Sequence, residues 1–181
     1  MNKGKVLLAT SALLLSAGVL AACSGGKSSS SGGQTFSYVY TQDPDTLDYS
    51  ISNKKSTSEF TGNAIDGLLE VDKYGNLIPS LAKDWTVSKD GLTYTYKLRK
   101  GVKWMTSEGE EYGEVKAQDF VTGLQHAADK KSSALYLVQQ SVKGLDDYVS
   151  GKTKDFSTVG IKAIDDYTVQ YTLSQPESFW N

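Results

Sequence analysis

The chain has 181 residues, with 19 lysines and arginines against 21 aspartates and glutamates and a formal net charge of -2. This near-neutral balance, without an arginine-rich segment or a basic stripe, argues against nucleic acid as a partner. Cys23 is the single cysteine, which excludes a disulfide scaffold and a cysteine-based zinc site.

The first 22 residues have the organisation of a secretory signal. Lys3 and Lys5 precede an apolar run from residue 6 to residue 20. The run is about fifteen residues long, whereas a helix that spans a bilayer needs roughly twenty. Residues 1–22 are therefore predicted to be a signal peptide rather than a permanent transmembrane helix.

The motif Leu20-Ala21-Ala22-Cys23 resembles the lipobox of bacterial lipoproteins. The resemblance implies cleavage before Cys23, a diacylglyceryl group on the Cys23 sulfur and acylation of the new amine. Two or three acyl chains give lasting membrane anchoring, whereas one chain is marginal. The alternative is a chance cysteine beside an ordinary cleavage site. Residues 23–34, rich in serine and glycine, are predicted to be a flexible tether that reaches on the order of 17 Å.

The rest of the chain mixes strand and helix patterns. The predicted elements are a strand over 35–41, a helix over 57–69 behind a capping box at 56–59, two extended pieces around the Gly75-Asn76 turn, a helical turn at 80–82, strands over 84–87 and 92–98, helices over 117–128, 133–142 and 145–149, and a hairpin of strands 159–165 and 167–173.

Two further segments carry weaker patterns. Residues 105–115 are acidic and contain glycine, which predicts a solvated loop. Residues 174–181 resemble the opening of another helix. Nothing in the sequence closes that helix, so we expect the chain to be the front part of a longer protein.

Catalytic groups are scarce. His126 is the single histidine and lies among apolar neighbours in a predicted helix, with Asp129 nearby. We interpret it as a helix-face histidine. The sequence has no nucleophile elbow, phosphate loop, dinucleotide fingerprint or His/Cys metal pair, and its adjacent carboxylates lie in predicted turns. It therefore predicts a protein that captures a ligand, is not an enzyme, and needs no cofactor or metal.

Several segments, in order, resemble one known family. The closest is GLTYTYKLRKGVKW at residues 91–104; the others are residues 46–48, 65–70, 75–85, 115–121 and 159–169. Together the segments cover nearly all of residues 36–173. The set resembles the peptide-binding lipoproteins of bacterial ABC importers, and within them the streptococcal oligopeptide-binding lipoproteins.

The resemblance implies an α/β fold, the N-terminal part of a two-lobed periplasmic-binding-protein-like architecture with an additional small α/β domain. Residues 35–65 would begin the first lobe and residues 66–181 would form the additional domain, ending before the second lobe. It implies a monomeric receptor on the outer face of the cytoplasmic membrane of a Gram-positive cell. That receptor would bind oligopeptides and deliver them to a membrane ABC permease.

The resemblance also places ligand contacts. Aligning Asp48 and residues 65–67 puts the peptide-contacting loop of the first lobe at Asn53, Lys54 and Lys55, where enteric relatives carry an acidic residue in place of Asn53. The alternative is that the two lysines simply solvate a loop. A further contact is implied near residues 133–136.

A second function is compatible with the same sequence. A surface lipoprotein acting mainly in adhesion or peptide-signal sensing would use the acidic loop over residues 107–114 and the tyrosine-rich strands as its contact surface.

Overall fold

The structure is a computed structural model that describes Ser37, Val39, Tyr40 and residues 42–181. The predicted signal peptide, Cys23 with its tether, and most of the predicted strand over residues 35–41 lie outside the described residues. Val39 and Tyr40, at the end of that predicted strand, are not in a strand. None of the helices in the described ranges has both the length and the apolar character that crossing a bilayer requires.

An antiparallel four-stranded sheet is the central element. The described residues contain eight strands and three α-helices: α1 (Lys55–Thr61), β1 (Leu69–Val71), β2 (Leu77–Pro79), β3 (Ala82–Val87), β4 (Thr93–Leu98), β5 (Lys103–Met105), β6 (Glu111–Glu114), α2 (Ala117–Asp129), α3 (Leu145–Val149), β7 (Ile161–Asp165) and β8 (Thr168–Thr172). The sheet has the order β3-β4-β8-β7, and β1–β2 and β5–β6 are separate hairpins.

The alternating tracts form the strands that their pattern predicts. In β4, Tyr94, Tyr96 and Leu98 are buried on one face, as expected because successive side chains point to opposite faces. The turn before it uses Gly91 at φ +71°, a conformation that glycine adopts without steric cost. The predicted hairpin over residues 159–173 is confirmed as β7–β8, and Asp165 Oδ1 accepts from the Tyr167 amide at 2.8 Å in its turn.

Helix α2 packs against β7 and β8, and the predicted helices over 117–128 and 145–149 are confirmed as α2 and α3. Asp119 Oδ2 accepts from the Lys116 amide at 3.0 Å and so satisfies a donor at the helix start. The largest apolar side chains that are under 2% exposed are Leu98, Val142, Leu145, Val159, Val169 and Leu173. Burial of each contributes about 1.5–3 kcal/mol, so apolar packing is a main source of the stability of the fold.

The first predicted helix is shorter than its pattern suggested. It was expected over residues 57–69, but α1 ends at Thr61, and the Gly62 amide donates to the Ser58 carbonyl. The predicted capping box does not form. Thr57 Oγ1 donates instead to the Thr46 carbonyl at 3.0 Å, because the buried start of α1 packs against an earlier loop. Beyond Gly62 the chain leads to β1, which begins at Leu69.

Two predictions of helix are wrong in the middle of the chain. Ser80 and Leu81 form a bend and Ala82 begins β3, because the amides of Leu81 and Ala82 donate to the carbonyls of Gly67 and Leu68. The predicted helix over 133–142 is a single 3-10 turn, Leu135–Leu137, followed by turns. An antiparallel β-bridge between Val142 and Leu173 attaches the end of this segment to the residue that follows β8.

The remaining differences concern two other segments. The predicted loop over residues 105–115 contains β6, which pairs with β5 in the register Trp104 to Gly113. Its sequence, EYGE, lacks the apolar alternation that would have indicated a strand. Residues 174–181 contain a turn and no helix, and Trp180 lies against Tyr171 with ring centroids 5.5 Å apart. The boundary at residues 65 and 66 between first lobe and additional domain stays a prediction.

Gly160 offers a direct test of how β7 meets β8. A Cβ there would lie 2.3 Å from the Thr172 carbonyl oxygen and 3.1 Å from Lys143 Cβ. Gly160→Ala is therefore expected to destabilise the protein by about 2–3 kcal/mol, because backbone must move to relieve the clash. Urea unfolding, monitored by tryptophan fluorescence, measures the change in the free energy of unfolding.

Gly123→Ala is the matched control for that substitution. Gly123 lies inside α2, and a Cβ there meets nothing within 4 Å. The same glycine-to-alanine change should stabilise the protein by about 0.5–1 kcal/mol. Equal effects of the two substitutions would contradict the close approach at Gly160.

Candidate functional site

Two of the predicted contact residues, Asn53 and Lys54, lie in a segment without regular structure, and the third, Lys55, begins α1. We call residues 45–54 the Asn53 loop. The Asn53 amide donates to Ser133 Oγ at 3.0 Å, and Ser133 Oγ lies 3.0 Å from Asn53 Oδ1, to which the hydroxyl donates. The Ser133 amide also donates to the Ile51 carbonyl at 3.1 Å. The structure thus brings together Asn53 and Ser133, which are 80 residues apart in the chain.

Asn53 keeps polar groups that no described residue engages. Its carbonyl accepts no hydrogen bond and its side-chain Nδ2 donates none within the part of the chain that the structure describes. The next residue, Lys54, is extended at φ -70° and ψ 137°. An extended backbone with an available carbonyl is the arrangement that pairs with the main chain of a peptide.

Lys54 and Lys55 have partners at the surface. Lys54 Nζ forms an ion pair with Asp45, and Lys55 Nζ lies 3.2 Å from Glu59 Oε1 one helical turn along α1. The Lys55 side chain is 88% exposed. Exposed pairs of this kind contribute about 0–1 kcal/mol each, so the geometry leaves open the interpretation that both lysines solvate the loop.

His126 has a partner that sequence reasoning missed. Its Nε2 lies 2.7 Å from Asp48 Oδ2, across 78 residues of chain. In the sequence around His126, Asp129 is the acidic residue nearby, but Asp129 accepts from the Tyr148 hydroxyl at 2.7 Å, which raises the pKa of Tyr148. No local pattern marks a contact made between two distant segments.

The His126–Asp48 pair has the geometry of a structural contact. Among the described residues, no serine, threonine or cysteine side chain hydrogen-bonds to His126, so no activated nucleophile accompanies it. The same described residues contain no group of three or more His, Cys, Asp or Glu side chains that could hold a metal ion. The pair therefore joins the Asn53 loop to α2.

An apolar recess of about 340 Å³ lies between the Asn53 loop and α2. Tyr49 and Ser50 of the loop contribute one side, and Phe120 and Leu124 of α2 contribute another. Burial is the main cause that raises the pKa of Tyr49, with the charges of Asp48 and Asp119 adding to it. Tyr49 is therefore a neutral phenol at physiological pH, which suits a half-buried side chain.

A second apolar cavity, of about 450 Å³, shares Leu124 and Tyr171 with this recess. Tyr96 and Tyr171 line it together with Leu137 and Trp180. Burial raises the pKa of Tyr96 to about 12 and also raises that of Tyr171. Apolar recesses with a few phenol groups accept apolar side chains and supply no group suited to proton transfer at neutral pH.

Comparison with known proteins places the chain in a family. Residues 76–181 match the family model described as bacterial extracellular solute-binding proteins, family 5 Middle. The oligopeptide-binding protein SarA of Streptococcus gordonii is 65% identical over 187 aligned residues, which cover 100% of this chain and 28% of SarA. The oligopeptide-binding protein AmiA of Streptococcus pneumoniae is 66% identical, with the same two coverages.

A solved structure supports the same placement. The substrate-binding domain of an oligopeptide ABC transporter from Bacillus anthracis superposes with a TM-score of 0.68 at 34% identity, over 78% of this chain and 26% of that one. The predicted α/β class, as part of a periplasmic-binding-protein-like fold, is confirmed. The chain spans about 28% of the length of the curated relatives it matches. It belongs to the bacterial extracellular solute-binding proteins of family 5.

Proposed function

We propose that the protein is a membrane-anchored extracellular receptor that binds oligopeptides and delivers them to a membrane ABC permease. The observation that carries the proposal is the identity of 65% and 66%, along the whole chain, with two proteins named for oligopeptide binding. The receptor acts as a monomer, since capture and delivery need one cleft and one docking partner.

The Asn53 loop supplies the first-lobe side of the peptide site in this proposal. The peptide lies extended beside residues 53–55, and one of its main-chain amides donates to the Asn53 carbonyl. Ser133 supports this role because it occupies the Asn53 amide and Oδ1 and so fixes the residue while leaving its carbonyl available. Recognition through backbone groups depends little on peptide sequence.

Lys54 and Lys55 have a secondary role in the proposed site. Both are exposed and already paired with carboxylates, Asp45 and Glu59, so each contributes little net charge toward a ligand. They therefore adjust the preference for charged peptides without deciding whether a peptide binds. The simpler alternative, that they only solvate the loop, predicts no effect of their removal on peptide preference.

The proposed location is the outer face of the cytoplasmic membrane. The family is extracellular by its description, and Cys23 follows an apolar run and the motif of a lipobox. A diacylglyceryl thioether at Cys23 with an acylated amine would hold the receptor at the lipid surface, and the tether over residues 23–34 would separate the folded body from the headgroups.

Peptide binding is testable with the full-length protein. Titration with a fixed pool of synthetic hexapeptides is expected to give saturable binding by calorimetry. Asn53→Ala should weaken the affinity about tenfold, because it removes the side-chain contact with Ser133 that orients the Asn53 carbonyl.

Asn76→Ala serves as the control for that substitution. Asn76 is an exposed asparagine in the β1–β2 turn, and within the described residues its hydrogen bonds are with Asp72 of the same turn. Its replacement should leave the affinity within about twofold of wild type. A wild-type protein that binds no member of the pool would contradict the proposed function.

Lipid anchoring is testable by replacement of one residue. Wild-type protein is expected to partition into the detergent phase and to carry the mass of a diacylglyceryl group on Cys23, whereas Cys23→Ala should appear in the culture medium. An unmodified thiol on a secreted wild-type product would show that the anchor is absent.

A second candidate function, surface adhesion, rests on the β5–β6 hairpin. Tyr112 is 80% exposed and Met105 is 55% exposed, and the acidic residues between them, Glu108, Glu110 and Glu111, make the surface anionic as well as apolar.

Two variants separate this candidate from transport. Tyr112→Ser with Met105→Ser should abolish adhesion and leave peptide uptake intact if adhesion is the main function. Asn53→Ala should lower uptake alone if transport is the main function. Measurement of uptake and adhesion in cells that carry each variant decides between them, and unchanged adhesion in the hairpin variant contradicts this candidate.

A further inference from the structure

We propose that His126 is a positioning residue for peptide binding, acting through Asp48 to hold the Asn53 loop in its binding conformation. The inference rests on the proposed function, because it concerns the same peptide site. It gives His126, which the sequence pattern indicated only as a helix-face histidine, a role in binding without contact with the peptide.

The first step is that the Asn53 loop needs outside support. Between residue 45 and the start of α1 at Lys55 the chain has turns at residues 49–51 and no helix or strand. A segment without a hydrogen-bond ladder loses much conformational entropy when it adopts one shape. Precise placement of the Asn53 carbonyl therefore depends on contacts that the loop makes with rigid elements.

The second step is that Asp48 uses its two carboxylate oxygens differently. Oδ1 accepts from the Ser50 amide at 3.1 Å and so closes the local turn. Oδ2 accepts from His126 Nε2 at 2.7 Å. An ionised carboxylate only accepts hydrogen bonds, so the proton lies on Nε2. One side chain thereby joins the turn of the loop to the last turn of α2.

The third step is that α2 and the segment just after it hold the loop through two residues, in addition to the contact of Thr46 with Thr57 in α1. His126 holds Asp48, and Ser133 holds Asn53 and the Ile51 carbonyl. Both holding residues belong to α2 or to the segment just after it. Ser133 holds residues 51 and 53, at one end of the turn, and His126 adds an attachment at Asp48, at its other end.

The fourth step concerns magnitude. The two side chains of the His126–Asp48 pair are 40% and 34% exposed, and such half-exposed pairs add little to the global stability of a fold. The buried apolar clusters around α2 and the sheet provide that stability. Loss of the pair should therefore change the order of the loop and the peptide affinity much more than the melting temperature.

The experiment uses the full-length protein and the same fixed pool of synthetic hexapeptides. His126→Ala should weaken the affinity about five- to tenfold while the melting temperature stays within about 2 °C of wild type. His126→Gln should restore the affinity to within about threefold of wild type, because a glutamine amide can also donate to Asp48. Hydrogen exchange at the Ser50 and Asn53 amides should accelerate in His126→Ala.

A control variant and a double mutant complete the design. Asp129→Asn perturbs the 2.7 Å hydrogen bond that Asp129, on the same helix, accepts from the Tyr148 hydroxyl. This variant should keep its peptide affinity within about twofold of wild type. Asp48→Ala with His126→Ala should weaken binding no more than Asp48→Ala alone, because both act through one contact.

Three results would overturn the proposal: an unchanged affinity in His126→Ala, a loss of affinity that follows a matching loss of melting temperature, or failure of His126→Gln to restore binding. None of these results bears on whether the wild-type protein binds peptides. Absence of binding by wild type contradicts the proposed function itself, so the two failures are distinguishable.

Discussion

The pairing of β4 with β8 is the interaction on which the rest of the structure depends. Its register sets Tyr94 opposite Tyr171 and Tyr96 opposite Val169, and it places β8 between β4 and β7 in the sheet. The chain between β4 and β7 must therefore leave the sheet and return to its far edge. This connection contains α2 and Ser133. The strand order of the sheet therefore determines the positions of His126 and Ser133, the two residues that hold the Asn53 loop.

Stability and the conformation of the Asn53 loop depend on two different kinds of contact. Apolar burial along α2, β7 and β8 supplies the stability, as the nearly complete burial of Val159 and Val169 shows. Half-exposed polar contacts, from His126 and Ser133, give the Asn53 loop its shape. Such contacts change with single side chains at little cost to the fold, which lets a family keep one framework while its binding loops vary.

Local pattern predicted the parts of the fold in which side chains alternate or recur at helical spacing. The alternation in β4 and in the β7–β8 hairpin, and the apolar spacing of α2, needed no knowledge of distant residues. The wrong predictions of helix concern segments whose backbone groups pair with residues far away in the sequence. Residues 80–82 pair with residues 67–68, and the end of the predicted helix over 133–142 is drawn to Leu173. β6 was missed because its sequence, EYGE, does not alternate apolar and polar residues.

The candidate site was predictable only in part for the same reason. Asn53 came from resemblance to a family, whereas its hydrogen bonds with Ser133 were not expected; the ligand contact implied near residues 133–136 stays a prediction. The His126–Asp48 pair had no signal in the sequence, since 78 residues separate its members and only the folded sheet brings them together. That sheet also has a consequence for secretion. In a protein exported amino end first, β4 would emerge some 75 residues before its partner strand β8, so one backbone edge of β4 would stay unpaired until that later strand arrives.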